Sequence, residues 1–320
     1  MRMDLKFERV QWPVGHGGFH TGRLKARSAD FRYFFDCGAY SKEGKALIRE
    51  KLASIEFDFG VISHFDHDHY SELSSAKKVG VLFLPYMSPT DMVLQALADQ
   101  AANGLTVAQA FQGFNVLQQL QANGTRIVMV NGRTPGQGDT PQAGPQERRG
   151  ELELRIPGVS KTAKGTQEMP HEAAVEVEHE AKVLLQFRFF NHRVEEASLA
   201  FSEQLSAAVE AGRLKKADKT PYTHIDDFLA DIARGDAIVV RINGKAMQKV
   251  YKNTLATATL RASPITGSNL SSLTMFSRPA DHRYDHYLYV THPVLRALGS
   301  HHGMSVDEQG WMLTGDLAGR

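Results

Sequence analysis

A layered α/β fold is predicted by two features of the 320-residue sequence. Short stretches rich in aromatic and β-branched residues alternate with longer amphipathic ones, and Gly, Pro or Asn separates most of them. That alternation is the pattern of strands that cross over through helices. "FERVQWPV" from Phe7, "FHTGRLKA" from Phe19 and "FRYFFDCG" from Phe31 read as strands. "KEGKALIREKLASI" from Lys42 puts Ile48, Leu52 and Ile55 at helical spacing. "FDFGVIS" from Phe57 and "VGVLFLP" from Val79 are strands of the buried type. "SPTDMVLQALADQAANG" is a helix with Ser88 as N-cap, Pro89 in the first turn, Asp91 near the positive end and Asn103-Gly104 as the stop. "LTVAQAFQGFNVLQQLQANG" from Leu105 reads as a second helix, and "RIVMV" from Arg126 as a strand.

The regularity breaks at Asn131. Residues 131–150 are rich in Gly, Pro and Gln and read as an exposed loop or linker. Beyond it, "ELELRI" from Glu151 and "VLLQFRFF" from Val183 are expected strands. "RVEEASLAFSEQLSAAVEAG" from Arg193 and "HIDDFLADIARG" from His224 are expected helices. "AIVVRI" from Ala237 reads as a strand and "GKAMQKVYKNTL" from Gly244 as a helix. "NLSSLTMFS" and "GWMLTGDL" near the end read as strands joined by a long histidine-rich connection. The domain reading is thus 1–130, a segment 131–265 set apart as an insertion, and 266–320.

A hydrophobic content of 42% is ample for a large core. With 37 basic and 36 acidic residues, any contact with nucleic acid would be a local patch. One cysteine, Cys37, excludes a disulfide framework and a cysteine-rich zinc module, and its expected role is packing. The N-terminus carries no apolar signal core and no run reaches membrane length, so the expected setting is cytoplasmic.

Chemistry concentrates in "SHFDHDHY", Ser63–Tyr70, directly after a buried-type strand. His64, Asp66, Asp68 and His69 form the pattern H-x-D-x-D-H. An extended loop would turn alternate side chains to one side, placing His67 opposite its neighbours, near the ligands or facing solvent. Imidazoles bind zinc, manganese or iron, and carboxylates suit harder ions. Ligands this dense fit two ions roughly 3.5–4 Å apart, the spacing of two-metal phosphodiesterases. A polar surface turn is the plain alternative.

The loop resembles the H-x-H-x-D-H signature of the metallo-β-lactamase superfamily, with Asp66 in place of the second histidine, as in the hydrolase domain of ComEC-type DNA-uptake proteins. "VGHGGFHTG" (Val14–Gly22) resembles that group's glycine-rich V-G-Q-G-D turn, from which His16 and Gly18 depart. "FFDCG" resembles its strand ending in Asp-x-Gly. "NLSSLTMF" with "MLTGDL" resembles its N-x-x-S-L strand and L-T-G-D. The resemblance covers residues 10–85 and 268–318.

The resemblance implies an αββα sandwich of mixed sheets, interrupted by the central segment, and two divalent ions, zinc or manganese. His64 and Asp66 would hold one ion, Asp68 and His69 the other, and Asp316 would bridge them. Asp36 would orient a ligand histidine. The expected function is a metal-dependent phosphodiesterase, a DNA nuclease of the kind that serves in bacterial antiviral defence. A cyclic-nucleotide or ester hydrolase and a degenerate partner-binding protein are the alternatives. The family pattern continues past L-T-G-D, so a C-terminal fragment of the same gene product and an activating protease are expected partners. No membrane partner is expected.

Several other residues have a chemical and a plain reading. His192 could be the family's middle histidine ligand, with His171 and His179 as weaker candidates. The five histidines from His282 to His302 read equally as phosphate contacts or an extra metal site on one side, and as a solvated loop on the other. "GRLKKADK" from Gly212 reads as a helix end or a phosphate-backbone contact.

Overall fold

The computed structural model describes residues 5–26, 29–131, 152–160, 165–171, 173–180, 182–193, 195–256, 271–279, 286–290 and 311–313. Asp316, residues 132–150 of the expected loop or linker, His282, His292, His301 and His302 lie outside the described residues. The chain divides into two compact units built from separated segments. The first takes Met1–Tyr86, Leu120–His192 and Ser272–Arg320; the second takes Met87–Gln119 and Arg193–Ser271. The segment 131–265 is therefore shared, its strands in the first unit and its helices in the second.

The first unit is α/β, with a larger mixed sheet and a smaller one. Its larger sheet contains β1 (Leu5–Gln11), β2 (Gly17–Ala26), β3 (Ala29–Ala39), β4 (Glu56–Val61), β5 (Lys78–Pro85), β6 (Arg126–Val130), β8 (Thr166–Met169) and β12 (His286–Val290). The order is β12-β1-β2-β3-β4-β5-β6-β8. Strands β3 to β6 and β8 run parallel, whereas β2 is antiparallel to both its neighbours. The smaller sheet contains β7 (Glu153–Arg155), β9 (Ala174–His179), β10 (Lys182–Arg193), β11 (Ser271–Pro279) and β13 (Trp311–Leu313), in the order β13-β11-β10-β9-β7. Its registered pairs β7·β9, β9·β10 and β11·β13 are antiparallel.

The sheets share one core because their inward residues follow the two-residue strand period. Phe31, Tyr33 and Phe35 of β3, Phe59 and Val61 of β4, and Val81 and Phe83 of β5 are buried with Val175, Val177, Leu185, Phe187 and Phe189 of the facing sheet. Phe187 meets the rings of Tyr33 and Phe59 edge-on at 5.0 and 4.9 Å, and Phe83 stacks on Phe189 at 4.6 Å. Helix α1 (Lys42–Ser54) packs against β3 through a face that buries Gly44, Ile48 and Leu52.

The second unit is helical: α3 (Pro89–Asn103), α4 (Val107–Ala110), most of α5 (Gln112–Ala122), α6 (Glu195–Glu210), α7 (Ile225–Ala233) and α8 (Ala237–Leu255). Helix α3 begins as its sequence dictates. Ser88 Oγ accepts from the Asp91 N–H at 3.2 Å, and the Ser88 N–H donates to Asp91 Oδ2 at 2.8 Å. Gly104 closes the helix at φ 64°.

Four expectations are corrected. The stretch 237–242 is the first turns of α8, not a strand. Asp236 caps it by accepting from the N–H groups of Ile238 and Val239 at 2.9 and 3.1 Å. Burial of Val239, Val240, Asn243, Met247, Val250 and Tyr251 then continues at helical spacing, outweighing the β-branched run. The stretch 105–124 is two helices that turn at buried Phe111. Strands β8 and β9 fall in a stretch to which the sequence assigned no element, and β12 falls in the histidine-rich connection. Finally, the H-x-D-x-D-H segment is not extended, for His67–Tyr70 forms one helical turn, α2.

Candidate metal centre

The site grows from the end of the parallel strands. Between Gly18↔Gly38 and His20↔Phe35, one residue of β2, Phe19, faces two of β3, Asp36 and Cys37. This β-bulge puts Asp36 at φ 57°, a left-handed conformation that Asp tolerates better than most side chains. The re-aimed carboxylate lies under the turn that follows β4. Its Oδ1 accepts from the Ser63 N–H at 2.7 Å, and its Oδ2 from the Ser63 hydroxyl at 2.8 Å and from His69 Nδ1–H at 2.8 Å.

These bonds fix two imidazole tautomers. Asp36 can only accept, so His69 Nδ1 carries the proton and Nε2 presents a lone pair. The Ser63 hydroxyl is spent on Asp36, so at 3.0 Å from His64 Nδ1 its oxygen accepts. His64 Nε2 therefore also presents a lone pair. That nitrogen is buried with no hydrogen-bond partner. The two rings lie 3.9 Å apart between centroids.

The carboxylates bracket these nitrogens. Asp66 Oδ2 is 3.5 Å from His64 Nε2, and Asp68 Oδ2 is 3.7 Å from His69 Nε2 and 3.4 Å from His16 Nε2. Asp66 occupies the N-cap position of α2, and Asp68 and His69 are buried in its single turn. Among the described residues, no three His, Cys, Asp or Glu side chains form a ready-made metal-holding group. The donor set nevertheless fits a divalent cation in its chemistry: neutral imidazole nitrogens with fixed lone pairs, alternating with carboxylate oxygens.

Glycines let the turn sit this low. A Cβ on Gly38 would lie 2.5 Å from the Asp68 carbonyl oxygen and 2.6 Å from the His69 nitrogen. One on Gly18 would lie 2.8 Å from Asp36 Cβ. Gly17 has φ 135° and faces the Asp68 carbonyl in the same way.

His67, placed by an extended-loop reading opposite its neighbours, instead opens α2 and is half-buried beside α1, where the Lys45 ammonium donates to its Nε2 at 3.3 Å. Burial, and then Lys45, pushes its pKa down. Arg49 pairs with buried Glu72, whose N–H donates to the Cys37 carbonyl at 3.0 Å. Cys37 is buried, and burial, then the charges of Asp36 and Glu72, raises its thiol pKa well above normal, as suits packing.

The structure thus gathers His64, Asp66, Asp68, His69 and Asp36. His192 lies in β10, His171 accepts from the Asn191 N–H at 3.1 Å through Nδ1, and His179 ends β9. The basic stretch at Gly212 leads into a turn, where Lys215 N–H donates to Asn243 Oδ1 at 2.7 Å and Lys216 lies over Tyr222. Sequence reasoning missed Ser63 and treated His16 only as a departure from a motif. The signal for Ser63 was its position next to the first histidine, at the strand end. No helix among the described residues is long and apolar enough to cross a membrane. Comparison of the chain with protein-family models, with curated proteins and with solved structures found no match.

Proposed function

We propose that this chain is a divalent-metal-dependent phosphodiesterase with a metallo-β-lactamase-like sandwich, and that its substrate is nucleic acid, most simply DNA. One observation carries the reading. Two buried imidazoles are locked with their Nε2 lone pairs presented beside two carboxylates, at the end of a parallel strand. A structural turn gains nothing from a buried imidazole lone pair turned toward a carboxylate oxygen, and leaving that nitrogen without a hydrogen bond costs about 1–3 kcal/mol. A ligand site does gain from it.

His64 and Asp66 would hold one ion, and Asp68 and His69 a second. Bound ions of this kind lower the pKa of water and offset charge on phosphoryl oxygens. The chain's own residues do the rest. Asp36 keeps the proton on His69 Nδ1, and Ser63 keeps the one on His64 Nδ1, so neither ring can swivel or change tautomer during turnover. His16, with 74% of its side chain exposed, stands 3.4 Å from Asp68 Oδ2 and would pass a proton to a leaving oxygen. That exposure supports a polymeric substrate over a small molecule enclosed in a pocket.

The test is cleavage of duplex plasmid DNA and of single-stranded DNA with Mn²⁺ and with Zn²⁺, comparing the wild type with Asp68→Ala. Cleavage by the wild type, with a loss of at least ~10²-fold in the variant, is expected. Failure of the wild type to cut with either metal, or equal cutting by Asp68→Ala, would overturn the proposal.

A further inference from the structure

We infer that Tyr40 and Lys45 form a rim beside this centre that binds single-stranded nucleic acid, with Tyr40 stacking on an unpaired base and Lys45 meeting its phosphate. The inference deepens the phosphodiesterase reading by naming the strandedness of its substrate, and it rests on that reading for the bond to be cut. The binding itself is separable from cleavage.

The large apolar side chains exposed among the described residues are Tyr40, Leu199, Ile238 and Leu255, and Tyr40 alone is aromatic. It is 43% exposed just past the end of β3, whose own aromatics, Phe31, Tyr33, Phe34 and Phe35, are all buried, and just before α1. Its backbone N–H donates to the His16 carbonyl at 3.1 Å, which pins it to the glycine-rich turn. Its ring lies 5.2 Å from that of His16 and 6.4 Å from that of His67. His16 is in turn 3.4 Å from Asp68, so the aromatic surface adjoins the candidate centre directly.

Lys45 stands one turn into α1. Its ammonium donates to His67 Nε2 at 3.3 Å, and among the described residues no carboxylate pairs with it. An imidazole acceptor positions the ammonium without neutralising it, so its charge stays available to an anion. An aromatic face with a neighbouring cation is how single strands are held without reading sequence, because every base has a π-face and every linkage a phosphate. A duplex offers no such face, since its bases are already stacked.

The experiment is fluorescence anisotropy of a labelled thymidine 12-mer, and of a duplex of equal length, with EDTA present so that nothing is cut. Wild type, Tyr40→Phe, Tyr40→Ala and Lys45→Gln are compared across a salt series. The inference expects the wild type to bind the single strand more tightly than the duplex. Tyr40→Ala should weaken single-strand binding by about tenfold, while Tyr40→Phe stays within about twofold. Lys45→Gln should shallow the salt dependence by about 0.7 of a logarithmic slope. Single-strand binding unchanged in Tyr40→Ala, or no binding by the wild type, overturns the inference even if DNA is cut with Mn²⁺. Tyr40-dependent binding by a protein that cuts nothing upholds the rim and sinks the phosphodiesterase.

Discussion

Two buried histidines of the first unit, His69 and His20, show what burial does when neighbours differ. His69 has a carboxylate at each ring nitrogen, Asp36 at 2.8 Å and Asp68 at 3.7 Å. His20 sits in β2 with neither ring nitrogen hydrogen-bonded, its ring 6.3 Å from that of Tyr33. Burial, and then the charge of Arg9, drives its pKa down to about 3. The first ring has its proton placed, whereas the second is kept neutral and serves as an aromatic filler. Acceptors arranged around an imidazole, rather than its burial, mark a site.

The sharpest way to break this contrast is Asp36→Ala. It strips three hydrogen bonds at once and frees the His69 tautomer. The expected loss is about 3–5 kcal/mol of unfolding free energy in urea, with at least ~10-fold weaker Mn²⁺ binding by calorimetry. A variant as stable as the wild type would mean that the carboxylate does not organise the turn. Next in size is Gly38→Ala, which forces α2 off the strand and should cost about 1–3 kcal/mol in the same melts. An unchanged midpoint would show that the turn has room to spare.

The smallest effect sharpens the other half of the comparison. Because the folded pKa of His20 lies below its unfolded value of about 6.5, the unfolded chain takes up a proton that the folded one refuses. This contribution to stability is complete above pH 6.5 and declines as pH falls toward about 3, by up to about 1.4 kcal/mol per unit. His20→Phe should flatten the pH dependence of stability by that amount between pH 6.5 and 5. An identical slope in the variant would show that His20 is not the group being protonated.

The sequence was most legible where local chemistry decides the outcome. Ser88, Pro89, Asp91 and Gly104 announce both ends of α3, and the cap bonds follow from them. The Asp-x-Gly ending of β3 and the histidine pattern after β4 could be read as neighbours. What could not be read depended on distant partners. Ala237–Ile242 has the composition of a strand, and only the buried stripe running on to Thr254 makes it a helix. Strand β8 has the unremarkable sequence "TQEM" and exists because β6 offers a parallel edge. The bulge at Asp36 is a matter of register between two strands, so its left-handed turn left no local trace. Ser63 looked like any small residue at a strand end, and its importance appears only when Asp36 and both imidazoles surround it.

The pairing of β1 has a consequence for how the protein is made. One edge of β1 is satisfied at once by β2, but the other waits for β12, where Phe7 pairs with His286. Arg9 likewise finds Ser277 only 268 residues later, at 2.7 Å. During synthesis, β1 leaves the ribosome with an open row of hydrogen-bonding groups and keeps it open until His286–Val290 has emerged. Such an edge recruits other nascent chains. Lys6 and Glu8, paired at 2.6 Å along the strand, give that edge charges unfriendly to a foreign partner. An architecture closed by pairings this distant is most exposed to mispairing while the later partners are still missing.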